Sequence, residues 1–146
     1  MKTIKILIGL PRSGKSTWVI NNKTNEVVIS ADDLRYIVYN QRFWSDGEPL
    51  MWSVRGIMLK YLMQQGVDII IDETNTTIDR RKSIIKLAKQ YGYHIIGKYF
   101  QMVRIEDCIK RAEKTNQLDL IPIINIMKEK LESPSMEEGF DEIKYV

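Results

Sequence analysis

The stretch Gly9-Leu10-Pro11-Arg12-Ser13-Gly14-Lys15-Ser16 fits G-x-x-x-x-G-K-[ST] and constrains this chain more than any other feature. The pattern has meaning only between a buried strand and a helix N-terminus. Both flanks are present. Ile4–Leu10 is apolar except at Lys5, and a helix-compatible segment starts at Lys15. Glycine lets backbone wrap closely around phosphate oxygens. Successive N–H groups and the helix N-terminus then point at the anion. Gly9, Pro11, Arg12, Ser13, Gly14, Lys15, Ser16 and Thr17 are therefore the candidate ATP-binding loop. Lys15 is expected to reach the β- and γ-phosphates, and the Ser16 hydroxyl to sit on Mg²⁺.

Strand-like runs and helical patterns alternate from this loop onward. The strand-like runs are Thr3–Gly9, Val27–Ser30, Val67–Ile71, His94–Phe100 and Glu142–Val146. Helical patterns cover Lys15–Asn21, Asp32–Tyr39, Pro49–Gln65, Ile78–Tyr91, Ile105–Lys114 and Ile123–Leu131. Val67–Ile71 is apolar except at Asp68, as in a parallel strand covered on both faces. The alternation predicts an α/β fold with right-handed crossovers and ligands beyond the carboxyl ends of the strands.

Two further strand ends carry chemistry. At Ser30-Ala31-Asp32-Asp33-Leu34-Arg35 a strand gives way to a helix, so Ser or Asp could simply cap it. A cap does not explain a carboxylate and an arginine three residues apart on one helix face. Transfer of a phosphoryl group to an alcohol needs a carboxylate to accept the hydroxyl proton. It also needs a cation beside the moving phosphate or the acceptor's own phosphate. Asp32 and Arg35 are the candidates, with Lys15 as the third catalytic group. The other end, Ile69-Ile70-Ile71-Asp72-Glu73-Thr74-Asn75, is an apolar strand closing on an acid. Asp72 is the expected Mg²⁺-shell carboxylate with Ser16, and Glu73 the alternative. Thr74 and Asn75 read as scaffold.

Composition narrows the partners. The chain has 146 residues, a net charge of +3, one cysteine and one histidine. Cys108 has no disulfide partner in the chain and suits a reducing cytoplasm. His94 stands apart from any metal-binding cluster. No apolar run approaches the length of a membrane span, and the N-terminus reads as a strand rather than a leader. The positive charge is compatible with nucleic acid without pointing to it. Trp44, in Arg42-Phe43-Trp44, is the candidate for stacking on an acceptor base, or else pins its loop to the core. Trp18, Trp52, Met58 and Met63 read as core.

With these residues in hand, the chain resembles the kinase domain of the polynucleotide 5′-hydroxyl kinases of the bacteriophage and metazoan end-healing type. The resemblance lies in GLPRSGKSTW, ADDLR, IIIDETN followed by DRRKSIIKLAKQYGY, and IPIINIMKEKLESPSMEEGFDEI. It covers nearly the whole chain, although several motifs are shared with small-molecule kinases. It implies a P-loop NTPase kinase fold over 1–146, with a five-stranded parallel sheet, helices on both faces and a small helical lid at about 111–122. It also implies that Asp32 is the general base toward the 5′-hydroxyl, that Arg35 meets the acceptor's phosphate and that Arg111 opens the lid helix. The family's second lid arginine falls at Thr115 here. Lys114 is the nearest cation, and Arg12 or Arg104 could also stand in. Lysine is a point charge rather than a planar fork, so the exchange is not equivalent. The chain lacks the phosphatase domain of many relatives, so a stand-alone kinase is expected. Its compartment would be the cytoplasm of a bacterial or phage-infected cell, with a ligase as candidate downstream partner.

The leading expectation is an ATP- and Mg²⁺-dependent kinase of 5′-hydroxyl ends of RNA or DNA. A kinase of a sugar, nucleoside or antibiotic hydroxyl shares the same loop and base. A nucleotide-binding module without transfer activity is the third reading.

Overall fold

The computed structural model describes all of Met1–Val146. Its centre is β1 (Thr3–Ile8), where every residue from Ile6 to Ile8 is fully buried. β3 (Ile69–Asp72) lies on one side of it and β4 (His94–Tyr99) on the other. β2 (Val27–Ser30) pairs with β3, and β5 (Glu142–Tyr145) with β4. All neighbours are parallel and the order is β2-β3-β1-β4-β5. This is the expected five-stranded parallel sheet.

Alternation along β1 separates two layers. Ile4, Ile6 and Ile8 face α2 (Ala31–Tyr39), α3 (Glu48–Gln65) and α4 (Ile78–Gln90), packing with Leu34, Met51, Leu59, Met63, Ile84 and Ile85. Leu7 faces the other way, with Ile70, Phe100 and Val19 of α1 (Lys15–Asn22). Trp18 packs edge-on against Phe100, as its place after the loop suggested. Lys5, the charged residue of β1, pairs with Glu26 on this second face. Each fully buried aliphatic side chain contributes about 1.5–3 kcal/mol. A third cluster joins the loop residue Leu10 to Cys108 and Ala112 of α5 (Ile105–Lys114) and Ile124 of α6 (Leu120–Lys130). It seats the helical lid beside the loop.

Element boundaries depart from expectation by more than one residue in two places. β3 starts at Ile69, not Val67: its pairing with β1 and β2 begins at Ile69, and Asp68 reaches β2 only through its carbonyl, which accepts from the Val27 N–H. The Asp68 carboxylate accepts from the Thr3 N–H and hydroxyl, and the Val67 carbonyl accepts from the Tyr93 hydroxyl. α6 starts at Leu120 rather than Ile123. Pro122 lies in its first turn, where no N–H is needed. No helix is long and apolar enough to cross a membrane.

Candidate active site

The loop between β1 and α1 is held open by backbone geometry. Gly14 caps α1 at φ 97°, and no side chain bonds the first-turn N–H groups. Arg12 sits in the left-handed region at φ 64°, a strained place for a side chain. A Cβ on Gly9 would lie 2.8 Å from Ser13 Oγ and 3.0 Å from Phe100 Cβ, so the tight loop needs glycine there. Lys15 lies under the loop, where its Nζ donates to the carbonyls of Gly9 and Leu10 at 3.0 and 2.7 Å and to Ser13 Oγ at 3.3 Å. Burial pulls its pKa down to about 8, against the attraction of the Asp72 and Asp32 carboxylates.

The end of β3 meets the start of α1. The Ser16 hydroxyl donates to Asp72 Oδ2 at 2.9 Å. Burial pushes the Asp72 carboxyl above its ordinary range, opposed by the Ser16 bond and Lys15. No three His, Cys, Asp or Glu side chains converge to hold a metal by themselves. Two adjacent hard oxygens are still the donor set Mg²⁺ takes, since it keeps waters and phosphate oxygens for its other positions. Glu73, the alternative, is committed elsewhere: Arg55 donates to both its oxygens at 3.0 and 2.8 Å. Asn75 is scaffold, its amide donating to the Leu7 carbonyl.

On the facing wall, Ser30 and not Asp32 caps α2, accepting from the Asp33 N–H at 3.3 Å. Asp32 is thus free for the cleft, with a side chain 81% exposed. Arg35 Nη1 donates to Asp32 Oδ1 at 2.8 Å. The same guanidinium donates to Glu48 from Nε and Nη2, and the Tyr39 hydroxyl donates to Glu48 at 2.6 Å. Burial works against the charged Arg35, but Glu48 and Asp32 outweigh it and raise its pKa. Glu48 escaped sequence reasoning because an acid before Pro49 reads as an ordinary helix start.

Loop, β3 end and α2 line one cleft of about 980 Å³, closed on its third side by the lid. Lys15, Ser16, Asp32, Arg35, Asp72 and Arg111 all border it. Arg111 and Arg12 exchange bonds, Arg111 Nη1 to the Arg12 carbonyl at 3.0 Å and Arg12 Nη2 to the Arg111 carbonyl at 3.3 Å. Lys114 does not border the cleft, and neither does Thr115, whose hydroxyl donates to the Arg111 carbonyl at the end of α5. Arg104 is at the opposite end of that helix. Trp44 is also turned away, packed edge-on against Tyr39 with ring centres 5.8 Å apart. Its neighbours Arg42 and Phe43 border the cleft instead, and Arg42 pairs with Asp119.

Met63 is core, and Met58 and Trp52 pack against it as expected, but Trp52 also borders the cleft. On α3 the buried line is Met51, Leu59 and Met63, and Trp52 lies one position round the helix from it. The guanidiniums of Arg35, Arg55 and Arg80 lie 5.8, 5.7 and 5.2 Å from its ring centre.

Comparison with known proteins gives this architecture a family. The model of the AAA domain family AAA_33 matches residues 4–116. A chain in the structure of a Pnkp1/Rnl/Hen1 complex is 26% identical, with a TM-score of 0.65, covering 75% of this chain and 38% of that one. A chain of the Pnkp1/Rnl/Hen1 RNA repair complex is 23% identical, with a TM-score of 0.67, covering 90% and 46%. The chain therefore spans less than half the length of either. The APS kinase CysC of Mycobacterium tuberculosis, in complex with AMPPNP and APS, shares the fold at 14% identity and a TM-score of 0.65, covering 99% and 88%. The chain belongs to the AAA_33 family and has the P-loop kinase-like fold.

Proposed function

We propose that this chain transfers the γ-phosphate of ATP to the 5′-hydroxyl end of RNA or DNA. The observation that carries the reading is the pairing of Asp32 with the Glu48-anchored Arg35, across one cleft from Lys15 and the Ser16–Asp72 pair. A phosphate loop alone would suit any nucleotide binder. A carboxylate and a fixed guanidinium on the facing wall suit an alcohol acceptor that carries its own phosphate. The 26% identity to a chain of a Pnkp1/Rnl/Hen1 complex favours a polynucleotide acceptor over a sugar or antibiotic.

In this reading the loop N–H groups and Lys15 hold the donor's phosphates. Ser16 and Asp72 would hold Mg²⁺, whose charge would offset that of the β- and γ-oxygens. Asp32 accepts the proton of the 5′-hydroxyl as its oxygen bonds to the γ-phosphorus and the bond to the departing ADP breaks. Arg35 orients the acceptor through the phosphate on its 3′ side. Arg12, locked to Arg111 at the loop, is the cation placed to do the work of an arginine at 115. It borders the cleft from the loop, whereas Lys114 and Arg104 do not border it. A ligase acting on the new 5′-phosphate would follow in the same repair sequence.

The test uses γ-labelled ATP, Mg²⁺ and 5′-hydroxyl oligonucleotides, with Asp32→Asn alongside. Label is expected on the oligonucleotide, falling by roughly 10²–10⁴-fold in the variant while ATP binding is kept. Label on small hydroxyl compounds but on no oligonucleotide would overturn the acceptor. ATP binding with no transfer to either would overturn the kinase.

A further inference from the structure

We propose that Arg80, laid against Trp52, holds a second backbone phosphate of the acceptor, next along the strand from the one met by Arg35. The proposal rests on the polynucleotide reading and deepens it, since it makes the acceptor a strand rather than a single nucleotide or a sugar.

Charge accounting singles out Arg80. On the acceptor side, Arg35 is matched by Asp32 and Glu48, Arg42 by Asp119 and Arg55 by Glu73. Arg80 borders the same cleft and has no carboxylate partner within ion-pair distance; its contact is the Trp52 ring, 5.2 Å from the guanidinium carbon. A cation over the face of a tryptophan gains only about 0.5–1 kcal/mol when exposed, which leaves its donors free for a ligand. An arginine fork in a concave site is suited to bidentate phosphate recognition.

Its position is fixed from beneath. The Arg80 N–H donates to the Oγ1 of Thr77, the cap of α4, at 3.3 Å. The next residue, Arg81, is fully buried and tied to Glu138 and to the Asn75 carbonyl. The backbone under Arg80 is therefore held while its side chain stays exposed. One indole carries Arg35 and Arg80 together, at 5.8 and 5.2 Å. Phosphates recur about every 3.4 Å of axis along a duplex strand. Of the three guanidiniums around this ring Arg55 is held by Glu73, and the other two suit neighbouring phosphates of one strand. An unpaired surface arginine with no ligand is the competing account, and it predicts no dependence on acceptor length.

The experiment compares a nucleoside 3′-phosphate, with one phosphate, and a 5′-hydroxyl dinucleotide 3′-phosphate, with two. Steady-state constants are measured for the wild type, Arg80→Ala and Arg80→Lys. The ratio of the dinucleotide KM to the mononucleotide KM should rise about tenfold in Arg80→Ala, as expected for a lost charged hydrogen bond. Dinucleotide kcat should stay within about twofold, and Arg80→Lys should recover part of the ratio. A 5′-phosphorylated oligonucleotide provides a readout without turnover. The slope of log affinity against log salt should flatten by about 0.7 in Arg80→Ala. Unchanged KM ratio and slope would overturn the role of Arg80 alone. Wild-type protein that phosphorylates neither acceptor would overturn the polynucleotide reading and this proposal with it.

Discussion

Lys15 is a cation that the fold buries, with 8% of its surface exposed. Its pKa near 8 lies below the unfolded value of 10.5, chiefly because burial penalises the charge. Between those two pH values the unfolded chain binds more protons than the folded one. Stability contributed at this position therefore rises with pH through that window, and the penalty is fully present below pH 8. Lys15→Met removes the titration. The stability of the wild type relative to this variant should increase from pH 8 to pH 10.5, by on the order of 3 kcal/mol. Urea unfolding at several pH values measures it, and parallel curves for the two proteins would refute the assignment. Bound phosphates favour the charged lysine, so ATP affinity should fall over the same range. Lys15 was legible in the sequence because the loop motif fixes its identity and spacing. Asp72 was legible because it closes an apolar strand, and Asp32 and Arg35 because they share one face of the helix that follows another. Glu48, Trp52 and Arg80 were not, because their roles arise where α3 and α4 approach α2, and no local pattern encodes that approach.

At the scale of elements, the acceptor wall depends on the turn between α2 and α3. Tyr39, Trp44 and Gly47 pack there, and Glu48 follows at once as the clamp on Arg35. A Cβ on Gly47 would run into the Tyr39 ring and come within 2.7 Å of Trp44. Gly47→Ala should therefore displace the start of α3 and loosen Arg35. The expected outcome is a loss of about 1–3 kcal/mol in stability. Acceptor KM should rise several-fold while ATP affinity stays close to wild type, because the loop at 9–16 belongs to other elements. Titration calorimetry with ATP and steady-state kinetics separate the two, and equal loss of both would contradict this division. The turn also explains Trp44. Aromatic residues beside Arg42 fitted stacking on a base as well as packing on the protein. The position of Tyr39 in space sets Trp44 edge-on against the protein, while Phe43 borders the cleft. The helices and strands themselves were readable, since caps and apolar runs are local signals. β3 and α6 differ where Asp68 bonds across to Thr3 and where Pro122 is tolerated inside a first turn.

At the scale of the molecule, the C-terminal segment clasps the wall that carries Asp72 and Arg80. The Glu132 N–H donates to the Thr76 carbonyl at 2.8 Å, and Glu132 Oε1 accepts from the Ile78 N–H at 3.3 Å. Deeper in, Arg81 donates to both oxygens of Glu138 at 2.7 and 3.0 Å, and to the Asn75 carbonyl at 2.9 Å. Arg81 is fully buried, and the Glu138 side chain is 6% exposed. Desolvating two charges is costly, and their attraction offsets the cost only while both are present. Arg81→Met would leave Glu138 buried without its partner and should destabilise the fold by about 3–5 kcal/mol. Glu138 also accepts from the Ser135 N–H at 2.9 Å, which glutamine can preserve. Arg81→Met with Glu138→Gln should therefore recover more than half of the loss, because the charge is gone and the cap is kept. Urea unfolding of the single and double variants measures the recovery. A double variant no more stable than Arg81→Met would mean that the bond to the Asn75 carbonyl, and not the ion pair, holds this wall in place.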